Sequence, residues 1–358
     1  MIYYFGQFLQ QYWGPARLFQ SYAVLITIAL YLGFFLSVKL IPCFYNWLPH
    51  DRGREFTIKE NAEAAKGKPT GAGSVFITIF VIICFILVPM TLSRALLLLL
   101  TWLTMLSGFL DDRSITSWGE YLKGALDLII SIAASLVLYF GLKSISPDGI
   151  VRFWFPFISA HVAVNPVVYI VICTIMLWAS INTTNCTDGV DGLSASLVMI
   201  ALLTLGILLY FVLGHKDIAA YLLVPHFIYG AQWGVMLFAL AGVLMGYLWH
   251  NANPSKCLMG DAGSRALGFF IGVAVMVSGN PFLILATSFI IFINGGMGLI
   301  KVFLLRFFKI KIFENIRFPL HDHFRKNHGW SPTQVLIKFM IVQLLFTSML
   351  IGLLFKIR

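Results

Sequence analysis

Charged residues are scarce in this chain of 358 residues: Asp, Glu, Lys and Arg together make up 11%, whereas hydrophobic residues make up 59%. Soluble domains contain about 25% charged residues, so this composition excludes a soluble enzyme. The sequence also lacks the ten-residue segments of alternating polar and apolar residues that are typical of a membrane-spanning β-barrel. It therefore predicts a polytopic, all-α membrane protein.

The apolar residues form about ten runs, each long enough to cross roughly 30 Å of hydrocarbon as a helix. The polar stretches between them are too short to fold as separate domains. We therefore expect one integral membrane domain over residues 1–358. The predicted spans are 21–42, 72–90, 94–110, 124–142, 166–182, 192–213, 234–250, 262–279, 281–305 and 333–355.

Basic residues are distributed unequally between the two membrane faces. One face contains the loops at about 43–71, 111–123, 183–191, 251–261 and 306–332, which hold twice as many Lys and Arg residues as the other face. The positive-inside rule makes these loops cytoplasmic and places both termini outside, on the periplasmic side. The first twenty residues lack a basic region ahead of an apolar stretch, so we expect no cleavable signal peptide.

The cysteines and the search for internal repeats give little information about the function. The five cysteines show no paired spacing, which argues against a disulfide framework or a zinc site. No clear repeat divides the chain into two similar halves, and this weakens the case for a transporter.

The fifteen acidic residues are concentrated beside the predicted cytoplasmic loops. Asp111 and Asp112 close the third span, where they form either a polar helix end or part of a site. Residues 182–192 contain many short polar side chains and two glycines, whose backbone N–H groups can surround an anion. A plain connecting loop would not need this composition.

Two later segments have a similar character. Residues 251–264 include Asp261 at the start of a span, where a carboxylate can cap the helix or bind a metal while N–H groups bind phosphate. Residues 317–330 contain three histidines, among them His321 and His323, together with Arg317, Arg325 and Lys326. One histidine at a membrane border is usually interfacial, but this cluster favours anion recognition.

Carboxylates, basic side chains and helix N-termini together suit phosphoryl transfer, in which a protein positions the reactants and neutralises charge. Mg²⁺ is the expected ion, because it binds through one or two carboxylates and through substrate phosphates. The helix ends lie at the membrane surface, so we expect one reactant to be a lipid.

These motifs resemble the polyprenyl-phosphate N-acetylhexosamine-1-phosphate transferases, and within them the phospho-N-acetylmuramoyl-pentapeptide transferases. The similarity runs through nearly the whole chain, in order. The matching residues are Pro69-Thr70, Asp111-Asp112, Asn185-x-x-Asp188-Gly-x-Asp191-Gly, Leu248-Trp249-His250-Asn251-Ala252, Met259-Gly-Asp261-x-Gly-Ser and Pro319-Leu-His321-Asp-His323-Phe.

The resemblance implies transfer of phospho-MurNAc-pentapeptide from UDP-MurNAc-pentapeptide to undecaprenyl phosphate, which gives lipid I and UMP. It also implies Mg²⁺ dependence, a homodimer in the bacterial inner membrane and a cytoplasmic active site, with no nucleic acid as partner. The implied catalytic residues are Asp111, Asp112, Asp261, His321 and His323; the substrate-binding residues are Lys68, Thr70, Asn185, Asp188, Asp191, Asn251 and Leu258; the metal ligands are Asp261, Asp111 and Asp188.

The chain departs from the family pattern at four positions. Asp322 replaces the middle one of three histidines, and Leu258 replaces an aromatic residue that can stack on uracil. Arg265 stands where leucine is usual. Ala65 replaces a lysine, which leaves Lys66 or Lys68 as a substitute.

Alternatives remain for both mechanism and function. The lipid phosphate attacks the sugar diphosphate directly, or an aspartate acts as nucleophile in two steps. A related enzyme that transfers GlcNAc-1-phosphate is the nearest other function. A transporter of anionic metabolites would place acidic groups near the membrane midplane. Only Asp127 lies well inside a span, and it could instead form an ion pair with Lys123, four residues earlier on the same helix.

Overall fold

The computed structural model describes residues 2–52, 65–155 and 161–356, so part of the predicted loop 43–71, residues 53–64, lies outside the described residues. Within the described ranges, nine helices are long and apolar enough to cross a membrane, and a tenth apolar helix has 15 residues. Each predicted span overlaps one of these ten helices. The prediction of an all-α polytopic membrane protein is confirmed.

The helices are numbered here in chain order. They are α1 (Ile2–Leu9), α2 (Tyr22–Cys43), α3 (Gly73–Leu87), α4 (Leu92–Arg113), α5 (Glu120–Ile145), α6 (Pro166–Thr187), α7 (Leu193–Leu213), α8 (Lys216–Tyr221), α9 (Gly230–Asn251), α10 (Gly260–Val277), α11 (Leu283–Phe308), α12 (Leu320–His328) and α13 (Pro332–Lys356). A 3₁₀ helix, Gly14–Gln20, precedes α2, and an antiparallel pair, β1 (Arg152–Phe153) and β2 (Val162–Ala163), lies between α5 and α6.

Helix α10 lies at the centre of the bundle, where 94% of its apolar window is buried. It packs against α3, α4, α6 and α7. The Ser180 hydroxyl of α6 donates a hydrogen bond to the Gly268 carbonyl of α10 at 2.7 Å. A helix that is apolar on all sides is stable only in such a buried position, so α10 is the element around which the others are arranged.

Helix α3 is short because it ends at Leu87, two residues before Pro89, while its first turn is fixed against the segment that precedes α10. The N–H groups of Ala72 and Gly73 donate to the carbonyls of Leu258 and Met259, each at 3.1 Å. A Cβ on Gly73 would lie 2.1 Å from the Gly263 nitrogen, so this approach requires glycine. The helix is about 22 Å long at 1.5 Å per residue, less than the hydrocarbon thickness.

Helices α4 and α5 form an antiparallel hairpin whose two ends define the two faces of the bundle. At one end, Asp111 of α4 contacts Lys123 of α5. At the other, a Cβ on Gly141 of α5 would lie 2.8 Å from the Ser93 hydroxyl of α4. We call the end with Asp111 the site face and the end with Ser93 the far face.

Candidate active site

Two buried carboxylates from different helices meet at the site face. Asp111 lies near the end of α4, and Asp261 lies in the first turn of α10. Lys123 forms an ion pair with Asp111 and donates to Asp261 Oδ2 at 2.9 Å. The two aspartate side chains are at most 5% exposed. One ammonium group therefore offsets two carboxylate charges that would otherwise repel each other.

Asp112, the second member of the acidic pair, contacts the start of α10. Its Oδ1 accepts from the Asp261 N–H at 3.0 Å, and its Oδ2 accepts from the Ala262 N–H at 3.1 Å. Gly260 has φ +68°, and a Cβ there would lie 2.2 Å from Asp112 Oδ2. Asp112 thus caps the helix that carries Asp261, and two of the N–H groups expected to bind phosphate bind this carboxylate instead.

The polar loop after α6 approaches α10 from another side. The Ser264 hydroxyl of α10 donates to Asn185 Oδ1 at 3.4 Å. Asp188 caps the end of α6 through its backbone N–H, which donates to the Asn185 carbonyl at 3.1 Å. Gly192 then takes a left-handed conformation, φ +76°, and α7 begins. The loop therefore places Asn185 close to the start of α10 and Asp188 at the end of α6.

Asp191 and Asn251 join this loop to the segment before α10. Asp191 Oδ1 accepts from the Ser255 hydroxyl at 2.8 Å, and its Oδ2 accepts from Asn253 Nδ2 at 3.2 Å. The buried Asn251 side chain accepts from the Gly192 N–H and donates to the Cys257 carbonyl, both at 2.8 Å. Both side chains are used to hold the two segments together.

Lys68 and Thr70 lie on a third segment, which packs beside Leu258 of the segment before α10. Lys68 Nζ donates to the Ser255 hydroxyl at 2.9 Å. The Thr70 N–H donates to the Pro49 carbonyl at 2.7 Å, and the Leu258 N–H donates to the Pro69 carbonyl at 2.8 Å. The Leu258 side chain is half-buried. Lys68 is therefore linked through Ser255 to Asp191, and Leu258 lies beside residues 69–72.

His321 is buried at the N-terminus of α12, against the loop after α6. A Cβ on Gly189 would lie 2.4 Å from His321 Nε2. On its other side, Asn294 of α11 accepts from the His321 backbone N–H at 2.9 Å and lies within 3.2 Å of Nδ1. Burial lowers the pKa of His321 to about 4, although Asp322 opposes this shift and Arg325 adds to it. The ring is therefore neutral at pH 7.

His323 lies in a different environment on the same helix. Its Nδ1 accepts from the Arg317 N–H at 3.3 Å and lies 3.2 Å from Asn327 Nδ2. The side chain is half-buried, whereas that of His321 is buried. The structure brings His321 to the loop after α6, and a catalytic role for His323 stays a prediction.

Asp111 and Asp261 supply the carboxylate ligands that Mg²⁺ prefers, and in the structure Lys123 Nζ contacts both of them. Mg²⁺ binds through one or two carboxylates and completes its coordination with water and substrate phosphates. In residues 2–52, 65–155 and 161–356, no group of three or more His, Cys, Asp or Glu side chains is arranged to hold a metal ion. Coordination by Asp188 as a third ligand stays a prediction.

Two residues of the site were not predicted from the sequence. The sequence drew attention to Lys123 only as a possible ion-pair partner of Asp127 on the same helix. In the structure Asp127 instead contacts Arg265 Nη2 at 2.5 Å. Asn294 lies within an apolar span, and its amide beside two glycines was the available signal. In both cases a partner comes from another part of the chain: Asp261 for Lys123 and His321 for Asn294.

Comparison with known proteins identifies the family. The family described as Glycosyl transferase family 4 matches residues 94–279. This range includes Asp111, Asp112, Asp188, Asp191 and Asp261. A Treponema pallidum (strain Nichols) protein named phospho-N-acetylmuramoyl-pentapeptide-transferase is 54% identical over 354 residues, covering 98% of this chain and 95% of that protein. A protein of Helicobacter hepaticus with the same name is 30% identical, covering 94% of this chain and 96% of its own.

A third protein of that name, from Campylobacter curvus, is 29% identical over 342 residues, covering 92% of this chain and 94% of its own. These findings confirm the resemblance inferred from the motifs, and they give no support to a GlcNAc-1-phosphate transferase or a transporter. The chain belongs to glycosyl transferase family 4 and, within it, to the phospho-N-acetylmuramoyl-pentapeptide-transferase family.

Proposed function

We propose that this protein transfers phospho-MurNAc-pentapeptide from UDP-MurNAc-pentapeptide to undecaprenyl phosphate. The products are lipid I and UMP, and the reaction is the first membrane step of peptidoglycan synthesis. Identity of 54% with a transferase of that name, over nearly the full length, supports this function. The structural observation that carries the proposal is the convergence of Asp111 and Asp261 on Lys123 at the site face.

Mg²⁺ is the proposed cofactor, and Asp111 and Asp261 are the proposed ligands. When bound, it supplies positive charge that stabilises the diphosphate during transfer. Asp112 acts as a positioning residue, because its carboxylate holds the first turn of the helix that carries Asp261. Lys123 supplies a second positive charge beside both ligands.

The nucleotide sugar is proposed to bind where three segments meet. Lys68 and Thr70 come from the first, Asn185 and Asp188 from the second, and Leu258 from the third. Hydrogen bonds of Asp191 and Asn251 hold these segments together, so these two side chains support the shape of the binding surface. Leu258 is only half-buried, which leaves apolar surface for contact with a uracil ring.

Direct attack by the lipid phosphate is the proposed mechanism. Asp111 Oδ1 accepts from the Trp118 N–H at 2.7 Å and its Oδ2 pairs with Lys123, while both oxygens of Asp112 accept from backbone N–H groups. Carboxylates held in this way suit positioning better than nucleophilic attack. A phosphomonoester has a second pKa near 6, so the lipid phosphate is mostly dianionic at pH 7 and needs no strong base.

His321 and His323 are proposed to contact the diphosphate and stabilise it. His321 is neutral at pH 7, since burial lowers its pKa to about 4, and it contributes a hydrogen bond rather than a positive charge. His323 is more exposed, and nearby Arg317 contributes permanent charge.

The membrane orientation also belongs to this proposal. The unequal distribution of basic residues places the site face in the cytoplasm and both termini on the periplasmic side of the inner membrane. A homodimer is proposed from the family resemblance alone.

Release of UMP tests the proposed function. Purified protein in detergent is incubated with undecaprenyl phosphate, Mg²⁺ and either UDP-MurNAc-pentapeptide or UDP-GlcNAc. We expect UMP only with the first sugar nucleotide. Asp261→Asn should nearly abolish release, whereas Asp217→Asn, a change at an exposed aspartate of α8, should leave it unchanged. Near-normal turnover by Asp261→Asn would contradict the assigned site.

Rapid quench without the lipid acceptor tests the mechanism. Direct attack predicts neither an enzyme-linked phosphoglycosyl group nor a burst of UMP. Either product would establish the two-step route through an aspartate.

A further inference from the structure

A cavity of about 120 Å³ lies at the far face, between the start of α4, the end of α5 and the start of α9. Its lining combines apolar and aromatic side chains with four hydroxyl groups and one guanidinium group. These polar groups belong to Thr91, Ser93, Ser144, Tyr229 and Arg94. The volume far exceeds the roughly 10–15 Å³ that a single water molecule needs, so the cavity can hold a larger polar group.

Arg94 is the unusual member of this lining, because it is 95% buried without an acidic partner. Its relative exposure is 5%. The guanidinium carbon lies 4.9 Å from the centroid of the Tyr229 ring, and Nε donates to the Thr91 hydroxyl at 3.2 Å. Nη1 is buried and has no hydrogen-bond partner among the residues that the structure describes. In those residues no ion pair includes Arg94.

An unpaired charge at a buried position is costly, and charged groups within membrane helices are usually paired with an opposite charge. Two other basic side chains within the bundle follow this rule: the buried Arg265 is paired with Asp127, and the partly buried Lys123 with Asp111 and Asp261. Arg94 differs from both. The missing partner is therefore an anion that the described residues do not provide, and the Ser93 hydroxyl offers an additional donor for it, whereas the Ser144 hydroxyl already donates to the Gly141 carbonyl at 2.8 Å.

The position of the cavity indicates where this anion comes from. Arg94 precedes Asp111 by seventeen residues on one helix, which separates them by about 25 Å along its axis. The cavity is thus at the opposite membrane face from the active site, at the helix ends where lipid headgroups lie. Phosphate groups of phospholipids are the anions present at that depth, and basic pockets between membrane helices bind such headgroups.

We propose that this cavity is a binding site for the phosphate-containing headgroup of an anionic phospholipid in the leaflet opposite to the active site. The phosphate pairs with Arg94, the Ser93 hydroxyl donates to one of its oxygens, and the lipid chains lie against the apolar surface of α4 and α5. The site is separate from the binding sites of the two substrates.

The test is lipid binding by delipidated protein in detergent, followed by native mass spectrometry and by the shift in melting temperature. Phosphatidylglycerol should bind to the wild-type protein in a defined stoichiometry and raise its melting temperature more than phosphatidylcholine does. Arg94→Gln should bind phosphatidylglycerol at least about tenfold more weakly, since charge-assisted hydrogen bonds to the phosphate are lost. Arg17→Gln, a change at an exposed arginine in the 3₁₀ helix before α2, should bind like the wild type.

A second variant keeps the test valid if Arg94→Gln does not fold. Ser144→Phe retains the arginine but fills the cavity with a ring, so it should also weaken phosphatidylglycerol binding while UMP release is retained. Equal binding by the wild type and by the folded variants would overturn the proposal. So would an equal temperature shift with inorganic phosphate alone, which indicates a site for a free anion, or no preference over phosphatidylcholine, which indicates a hydrated cavity only.

Discussion

The buried ion pair between Asp127 and Arg265 allows a quantitative test of how α5 and α10 are held together. Both side chains are at most 2% exposed, and Arg265 Nη2 contacts Asp127 Oδ1 at 2.5 Å. Asp127→Leu leaves the guanidinium without its partner inside the bundle, and removing one member of a buried pair costs about 3–5 kcal/mol. We expect that loss in the free energy of unfolding.

The double variant Asp127→Leu, Arg265→Leu should be much closer to the wild type. Replacing both charges by apolar side chains removes the cost of desolvating them and is often neutral or stabilising by about 1–4 kcal/mol. Two atoms of Arg265, Nε and Nη1, are buried without a hydrogen-bond partner among the described residues. The pair is therefore incompletely satisfied, and the family's usual leucine at this position is compatible with the same packing.

Equilibrium unfolding by sodium dodecyl sulfate from detergent micelles measures these free energies for the wild type, the two single variants and the double variant. Because the double variant should lie near the wild type, the expected coupling energy is opposite in sign to the losses of the two single variants and close to their sum in size. A double variant as unstable as Asp127→Leu would refute the reasoning, as would a single variant with unchanged stability.

Three further outcomes are expected. Gly189→Ala should lower kcat at least about tenfold by displacing His321, while Gly124→Ala, where a Cβ has open space, should not; equal rates would contradict the contact. Leu258→Phe should tighten uridine binding by about 0.5–1.5 kcal/mol in calorimetry, and unchanged affinity would place this residue away from the base. Burial lowers the pKa of His321 to about 4, so the unfolded chain binds more protons between pH 4 and 6.5, and stability should fall by up to about 3 kcal/mol as pH decreases through this interval. In acid-unfolding measurements His321→Asn should lose this dependence and His323→Asn should keep it; an unchanged profile in His321→Asn would contradict the assignment.

The sequence predicted the spans well because helix length and hydropathy are local properties. The structure departs at α3, which ends at Leu87 rather than at residue 90, and whose start is held by contacts of Gly73 with Gly263 and Met259. No window of apolar residues contains that information. The short helix α12 is polar and also escapes a search for apolar runs, although its histidines were recognised.

The candidate site was predicted only in part, because residue type identifies a group but not its direction. Adjacent residues in a helix point about 100° apart, and the sequence could not decide that Asp111 turns to Lys123 while Asp112 turns to α10. Similarly, Asp127 has Lys123 four residues away in sequence and yet pairs with Arg265. Long-range partners of this kind follow from the packing of helices.

The start of α10 connects the fold to the proposed chemistry. Its N–H groups at Asp261 and Ala262 donate to Asp112, so the partially positive end of the helix stabilises a carboxylate of the protein. These two groups are then not available to bind the substrate phosphate, contrary to the sequence-based expectation. Under the proposed function, neutralising the diphosphate depends correspondingly more on the proposed Mg²⁺ ion, on Lys123 and on the basic residues near α12. It follows that the rate should depend more on divalent cation concentration and ionic strength than in a site built on free helix N–H groups.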